Sequence, residues 1–367
     1  MSHTFDDKII IPSLQEQMGL ALGGEEIITP DTGVYFSAEE IDITIYDKII
    51  ICMSGGKDSW ATLLHLYDIG VDRSKIELWH HDVDGREGST LMDWAFMADY
   101  NRKLAEHFNH PLYFSWLKGG MEREMLKENE YSQPHMIETP DGLLELPRDT
   151  KRSKPSTRLK FPQVGANLQT RWCSSALKID VGRRQLTNQT RFDQKKVLFI
   201  TGERRQESSN RAKYNQFEPH MVDCRAGKKG RHVDVWRPVL HWQEDRVWDA
   251  LQRHGVLAPV PYRLGWGRSS CMTCIFNSPT IWATIREYFP EKIMPIASLE
   301  DRFGTTISRD RINVLDVSNK AKPMEISDLV ALDQAMREDY ILPVVANAEH
   351  KWVMPAGAFN ESVCGPS

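Results

Sequence analysis

Short runs of consecutive apolar residues, each closed by a turn signal, alternate with stretches in which apolar residues recur about every 3.6 positions. The first run, Ile49-Ile50-Ile51-Cys52-Met53, is too short for a helix and predicts a buried strand. After a Ser-Gly-Gly turn, Trp60, Leu63, Leu64, Leu66 and Tyr67 recur at helical spacing, so a helix starts at that turn. Ile76 to Asp82 reads as a second strand, ending at the turn Asp84-Gly85. Residues 90–108 read as a helix, Leu112 to Trp116 as a third strand, and Lys196 to Ile200 as a further one. Strand–helix–strand alternation with short connections predicts an α/β fold, Rossmann-like, with a parallel sheet covered by helices on both faces.

The pattern also divides the chain. Residues 1–45 carry little periodicity and read as an N-terminal extension, 46–280 as the sheet-bearing domain, and 281–367 as a mainly helical C-terminal part and tail. Residues 117–195 interrupt the rhythm. They include a basic, proline-containing stretch with Arg148, Lys151, Arg152, Lys154, Arg158 and Lys160, expected to be a mobile or substrate-facing insertion. Residues 242–254 form an amphipathic helix, with Gln243, Glu244 and Asp245 near its positive end.

Composition changes this picture little. Of 367 residues, 46 are Lys or Arg and 51 Asp or Glu, a formal charge of −5, so no global positive field recruits nucleic acid and a local patch would be needed. No apolar run approaches the roughly 20 residues that cross a bilayer, and the N-terminus lacks the pattern of a secretory signal. Six cysteines in so long a chain are no disulfide framework and read as metal ligands or reactive thiols in a reducing, cytoplasmic setting.

The candidate chemistry centres on Ser54-Gly55-Gly56-Lys57-Asp58-Ser59. Two glycines between strand and helix let backbone N–H groups converge on an anion that the helix N-terminus also favours. Lys57 neutralises phosphate charge, Ser54 and Ser59 offer hydroxyls, and Asp58 orients the loop or helps to hold Mg²⁺. The spacing is not the Walker pattern G-x-x-x-x-G-K-[ST].

This loop resembles the PP-loop of N-type ATP pyrophosphatases in the adenine-nucleotide α-hydrolase superfamily, which implies a HUP-type fold and ATP cleavage between the α- and β-phosphates. Asp82 and Asp84 sit where that superfamily's second strand ends, near the nucleotide. Arg171 to Lys178, Thr201-Gly202-Glu203-Arg204-Arg205-Gln206-Glu207-Ser208 with Arg211, Trp236-Arg237-Pro238-Val239, and Gly267 to Cys274 resemble, in order, segments of the phosphoadenosine phosphosulfate (PAPS) reductase family. Arg204, Arg205 and Arg211 after a strand end suit bidentate grip of phosphate or sulfate, with surface ion pairing to Glu203 and Glu207 as the plainer reading.

Cys271-Met272-Thr273-Cys274 offers two soft ligands at chelating spacing, and Cys173 matches a family cysteine. Together they imply three corners of a [4Fe–4S] cluster, with zinc as the alternative metal and Cys224 or Cys364 as fourth-ligand candidates. Cys364 also resembles, loosely, the tail nucleophile of sulfonucleotide reductases. The intact loop favours an ATP pyrophosphatase, using Lys57, Asp58 and Mg²⁺, that adenylates a substrate for sulfur transfer, as in DNA phosphorothioation or tRNA thiolation. Its partners would be a nucleic-acid acceptor met by residues 148–160 and 225–231, and a sulfur donor such as a cysteine desulfurase. The alternatives are a thiol-dependent PAPS or APS reductase and a non-catalytic nucleotide- or nucleic-acid-binding subunit.

Overall fold

The computed structural model describes residues 41–165, 167–308 and 310–360. Most of the predicted N-terminal extension, and Cys364, lie outside the described residues. Eight strands form one sheet: β1 (Lys48–Cys52), β2 (Ile76–Asp82), β3 (Leu112–Leu117), β4 (His135–Thr139), β5 (Gly142–Leu146), β6 (Lys196–Ile200), β7 (Phe217–Pro219) and β8 (His232–Trp236). Their spatial order is β5-β4-β3-β2-β1-β6-β8-β7.

Side chains of a strand alternate between the two faces of the sheet, and both faces here are covered, so β1 and β6 read as nearly continuous apolar runs. Ile49 and Ile51 of β1 enter a core that also holds Trp60, Leu63 and Leu64 of helix α1 (Lys57–Asp68), Tyr100 of α2 (Met97–His107) and Trp248 of the helix Glu244–Arg253. Ile50, between them, points the other way and packs with Trp79, Phe199 and Leu186, the last from the helix Asp180–Thr187. Helices therefore cover both faces, as the sequence predicts. The C-terminal helices Pro279–Tyr288 and Pro290–Phe303 contribute Ile281, Trp282, Ile293 and Ile296 to the first of these cores. No helix among the described residues is long and apolar enough to cross a membrane.

Three expectations are corrected. The sheet is parallel only across β3, β2, β1, β6 and β8; β4, β5 and β7 join antiparallel at its edges. The β4–β5 reversal takes a tight turn at Pro140-Asp141, and Gly142, which opens β5 opposite Thr139, has φ +115. The helix expected from residue 90 starts at Met97, because the Asp84 carboxylate captures the backbone N–H groups of Met92 and Asp93 at 2.9 and 2.7 Å. The predicted insertion is a structured part of the sheet. It holds the short helix Gly120–Met125, the β4–β5 hairpin and the helical segment that runs through Trp172–Ser174, a π-helical stretch Ser175–Ile179 and Asp180–Thr187.

Candidate active site

Strand order reverses between β1 and β6, and the loops that follow these two strands meet at their carboxyl ends. Such a switch point is where open α/β sheets bind ligands. After β1 comes Ser54 to Ser59, with Lys57 as the first residue of α1. Gly55 has φ +83, a conformation costly for any residue with a Cβ. After β6 comes Gly202, and a Cβ there would lie 2.9 Å from the carbonyl oxygen of Asp58. Glycine at 202 thus lets the second loop close onto the first.

The charged groups of the two loops form one network. Arg204, 1% exposed, donates through Nε to Asp58 and through Nη1 to Gln206 at 2.7 Å. Lys57, 3% exposed, does not point toward the loop's mouth. Its ammonium lies 3.5 Å from Glu244, 3.7 Å from Asp58 and 5.1 Å from the centre of the Tyr262 ring. Burial opposes its charge, but Asp58, Tyr262 and Glu244 hold its pKa above the ordinary lysine value. Burial would likewise raise Asp58, yet Lys57 and Arg204 hold its carboxyl below the usual range. Within the loop, Ser59 donates to the Gly56 carbonyl at 2.8 Å, and the Gly56 N–H donates to the Ser54 hydroxyl at 3.3 Å.

The other two predicted arginines differ. Arg205 is buried and donates to the backbone carbonyls of Ala212 and Tyr214, so it holds the loop's shape. Arg211 pairs with Glu207 and is 37% exposed, which leaves its guanidinium at the cleft surface. Two buried hydroxyl oxygens beside the loops, those of Thr201 and Ser269, have no hydrogen-bond partner among the described residues. Ser269 lies against Gly56, where a Cβ would come 3.6 Å from its own.

Asp84 is buried and its carboxylate is occupied by the backbone of Met92 and Asp93. Asp82 lies 3.7 Å from Arg86 and is 15% exposed. Burial, and then the charge of Asp93, push Asp82 up to about 7; burial dominates for Asp84, which also reaches about 7. Asp93 itself is raised by burial.

The structure gathers the three predicted metal-site cysteines. Burial raises Cys173, with the Cys274 thiol adding to it; burial also raises Cys271, with contributions from Asp93 and Cys274. Lys178, on the π-helical stretch, stands among all three thiols and Asp93, and these partners outweigh burial and raise its pKa. The cysteine loop is tied to the Asp93 loop: the Thr273 N–H donates to Met92 O at 3.0 Å, and Trp94 Nε1 to Ser270 O at 2.9 Å. The three thiols stand close enough to Lys178 to interact with its ammonium. Cys224 follows edge strand β7 and bonds the backbone of Arg231, far along the sheet from Cys173, so it cannot complete the set. Among the described residues no three His, Cys, Asp or Glu side chains are arranged to hold a single metal ion.

Sequence reasoning missed Glu244, Tyr262 and Lys178 as parts of the site. Glu244 was visible only as an acidic residue near a helix start, and nothing local marks Tyr262. Lys178 stands in the Leu-Lys segment already noted, so its place beside the cysteines had a signal.

An open α/β sheet with a Gly-Gly turn after β1, facing a glycine-arginine loop after β6 across the switch point, defines a ligand-binding α/β protein of the doubly covered class. The chain belongs to the PAPS reductase family. The phosphoadenosine phosphosulfate reductase domain matches residues 146–277, which include Cys173, the Thr201–Arg211 loop and both cysteines of Cys271–Cys274 but not the loop after β1. A relative, an uncharacterized 37.8 kDa protein of Escherichia phage 186, is 31% identical over 268 residues, covering 68% of this chain and 74% of its own. Among solved structures, Candida glabrata FMN adenylyltransferase with FMN and the ATP analog AMPCPP aligns at TM-score 0.37 and 12% identity, over 87% of this chain and 80% of that one. The same enzyme with FAD and inorganic pyrophosphate aligns at TM-score 0.36 and 13% identity, over 86% and 79%.

Proposed function

We propose that the protein is an enzyme acting on adenine nucleotides, and specifically an ATP pyrophosphatase that adenylates an acceptor for sulfur transfer. The observation that carries this reading is the unaltered Ser54–Ser59 loop at the switch point, flanked by the partnerless buried hydroxyls of Thr201 and Ser269. Backbone N–H groups at the head of α1 would receive the polyphosphate, with Mg²⁺ bound alongside. Arg211, at the cleft surface, would grip phosphate oxygens, while Arg204 fixes Asp58. These groups favour charge that develops on the departing pyrophosphate. Lys57 acts from behind the loop, its buried positive charge holding Asp58 ionised. Cys173, Cys271 and Cys274 are the residues that would hold an iron–sulfur cluster or zinc, with Lys178 beside them.

The test is to incubate the anaerobically purified protein with labelled ATP, Mg²⁺ and candidate nucleic acids, and to separate the products. AMP transfer with pyrophosphate release in the wild type, lost by at least a hundredfold in Lys57→Ala, is the expected result. Removing Lys57 leaves the buried Glu244 without its cation, though still accepting from Trp248 Nε1 and the Phe359 N–H, a loss of about 3 kcal/mol. The double variant Lys57→Ala/Glu244→Gln should recover much of that stability without recovering turnover. Sulfite released from PAPS with no ATP cleavage would instead identify a thiol-dependent reductase, and nucleotide binding without turnover a non-catalytic subunit.

A further inference from the structure

The basic residues singled out in the sequence do not stay together in the fold. Arg158 turns inward, pairs with the buried Glu124 at 2.7 Å and lies over the Trp172 ring. In the second basic run, Arg225 pairs with Asp223 and Asp234, and both Lys229 and Arg231 pair with Asp193. These positive charges are already answered.

Arg148 is different. It follows β5, and β5 places Leu146 opposite His135 of β4, which in turn lies opposite Leu117 at the carboxyl end of β3. On the covering helix, Arg184 donates to the Pro147 carbonyl at 3.3 Å, which brings its guanidinium beside Arg148. Arg183 is its neighbour. The only carboxylate paired with any of the three arginines among the described residues is Asp180, 3.0 Å from Arg183. Beneath them His135 is 2% exposed, and its Nδ1 and the Nε of Arg184 are buried without a hydrogen-bond partner among the described residues. Burial first, and then Arg184, Arg148 and Arg183, push the imidazole down to about 3, so it is neutral and able to offer an N–H. Three cations around a partnerless buried imidazole repel one another unless an anion joins them.

We propose that His135, Arg148, Arg183 and Arg184 form an oxyanion site that takes a phosphate group, at the same carboxyl edge of the sheet as the Ser54–Ser59 loop. β4 stands three strands from β1, about 14 Å at the usual inter-strand spacing, so the site is separate from the loop. The exposed Lys151 and Lys154 continue from Arg148, with Arg152 between them paired to Asp149, which favours the phosphodiester backbone of a polynucleotide as the source. That choice of source rests on the nucleic-acid acceptor of the proposed function; the oxyanion site itself does not.

The experiment uses the full chain, the variants Arg148→Gln and Arg148→Gln/Arg184→Gln, and Lys320→Gln, outside both basic runs, as an exposed basic control. One arm measures binding of a fluorescein-labelled single-stranded 20-mer DNA over a range of salt. The other follows the ¹⁵N resonances of His135 on addition of inorganic phosphate. Expected in the first arm is a loss of about tenfold or more in the double variant, with a salt slope shallower by roughly 0.7 per lost contact, and no change in the control. Expected in the second is a His135 shift in the wild type that the double variant lacks. A loss in the DNA arm identifies the backbone as the source, and a loss confined to the phosphate arm identifies a free phosphorylated ligand; both support the site. Variants that match the wild type in both arms overturn it. A wild type that releases no pyrophosphate from ATP removes the loop reading without touching this one.

Discussion

Single residues at this site are set by neighbours from distant parts of the chain. Lys57 was legible as a cation beside two glycines, but its orientation follows from Glu244 and Tyr262, 187 and 205 positions later. Asp84 shows the same dependence. Its carboxylate organises the Met92–Asp93 turn, and burial and Asp93 hold it at about 7. The sign of the resulting pH effect is fixed by that direction. The folded pKa lies above the unfolded value near 3.8, so the stabilisation from protonated Asp84 is complete below about pH 4 and disappears as pH rises through 7. Asp82 acts in the same sense. Urea unfolding at pH 5 and pH 8 should therefore show the wild type losing on the order of 2 kcal/mol more than Asp84→Asn over that interval. An equal loss in both proteins would assign the pH dependence elsewhere.

At the scale of elements, close approach of backbones decides what the turns require. Gly120 has φ +56, and a Cβ on it would sit 2.1 Å from the carbonyl carbon of Asp84. The Gly119–Gly120 turn thus packs directly onto the turn that ends β2. Gly55 would also clash, but with the Met97 sulfur, the flexible end of a side chain. Gly120→Ala should cost roughly 3 kcal/mol or more in thermal or urea unfolding. Gly55→Ala should cost about 1–2 kcal/mol and show its larger effect in weakened ATP binding. A Gly120→Ala protein as stable as the wild type would show that these turns are not in tight contact. The strands β2 and β6 matched their predicted ranges because runs such as Lys196 to Ile200 carry their signal locally. The start of α2 at Met97 did not, because hydrogen bonds donated to Asp84 by the Met92 and Asp93 N–H groups overrode an apolar rhythm that began earlier.

Across the whole molecule, the helical segment after Arg171, the loop 271–274 and the Asp93 loop converge although they lie far apart in sequence. If Cys173, Cys271 and Cys274 act as one ligand set, anaerobic elemental analysis should find iron or zinc in the wild type. Cys271→Ser should then lose it, together with any visible absorption of an iron–sulfur cluster. A wild type free of both metals would leave the three cysteines as closely placed thiols.

The sequence alone determined the α/β class, the central strands, the loop from Ser54 to Ser59 and the family, because strand periodicity, glycine placement and cysteine spacing are properties of neighbouring residues. It also marked Cys173, Cys271, Cys274, Arg204 and Arg211 one by one. Only the tertiary structure decided which charges remain available. Arg205, Arg158 and Arg231 are taken up by carbonyls or carboxylates, whereas Arg148 and Arg184 stand beside His135 with no carboxylate paired to either among the described residues. A charge's freedom depends on what burial and folding bring within a few ångströms, and the spacing of residues along a chain does not contain that distance.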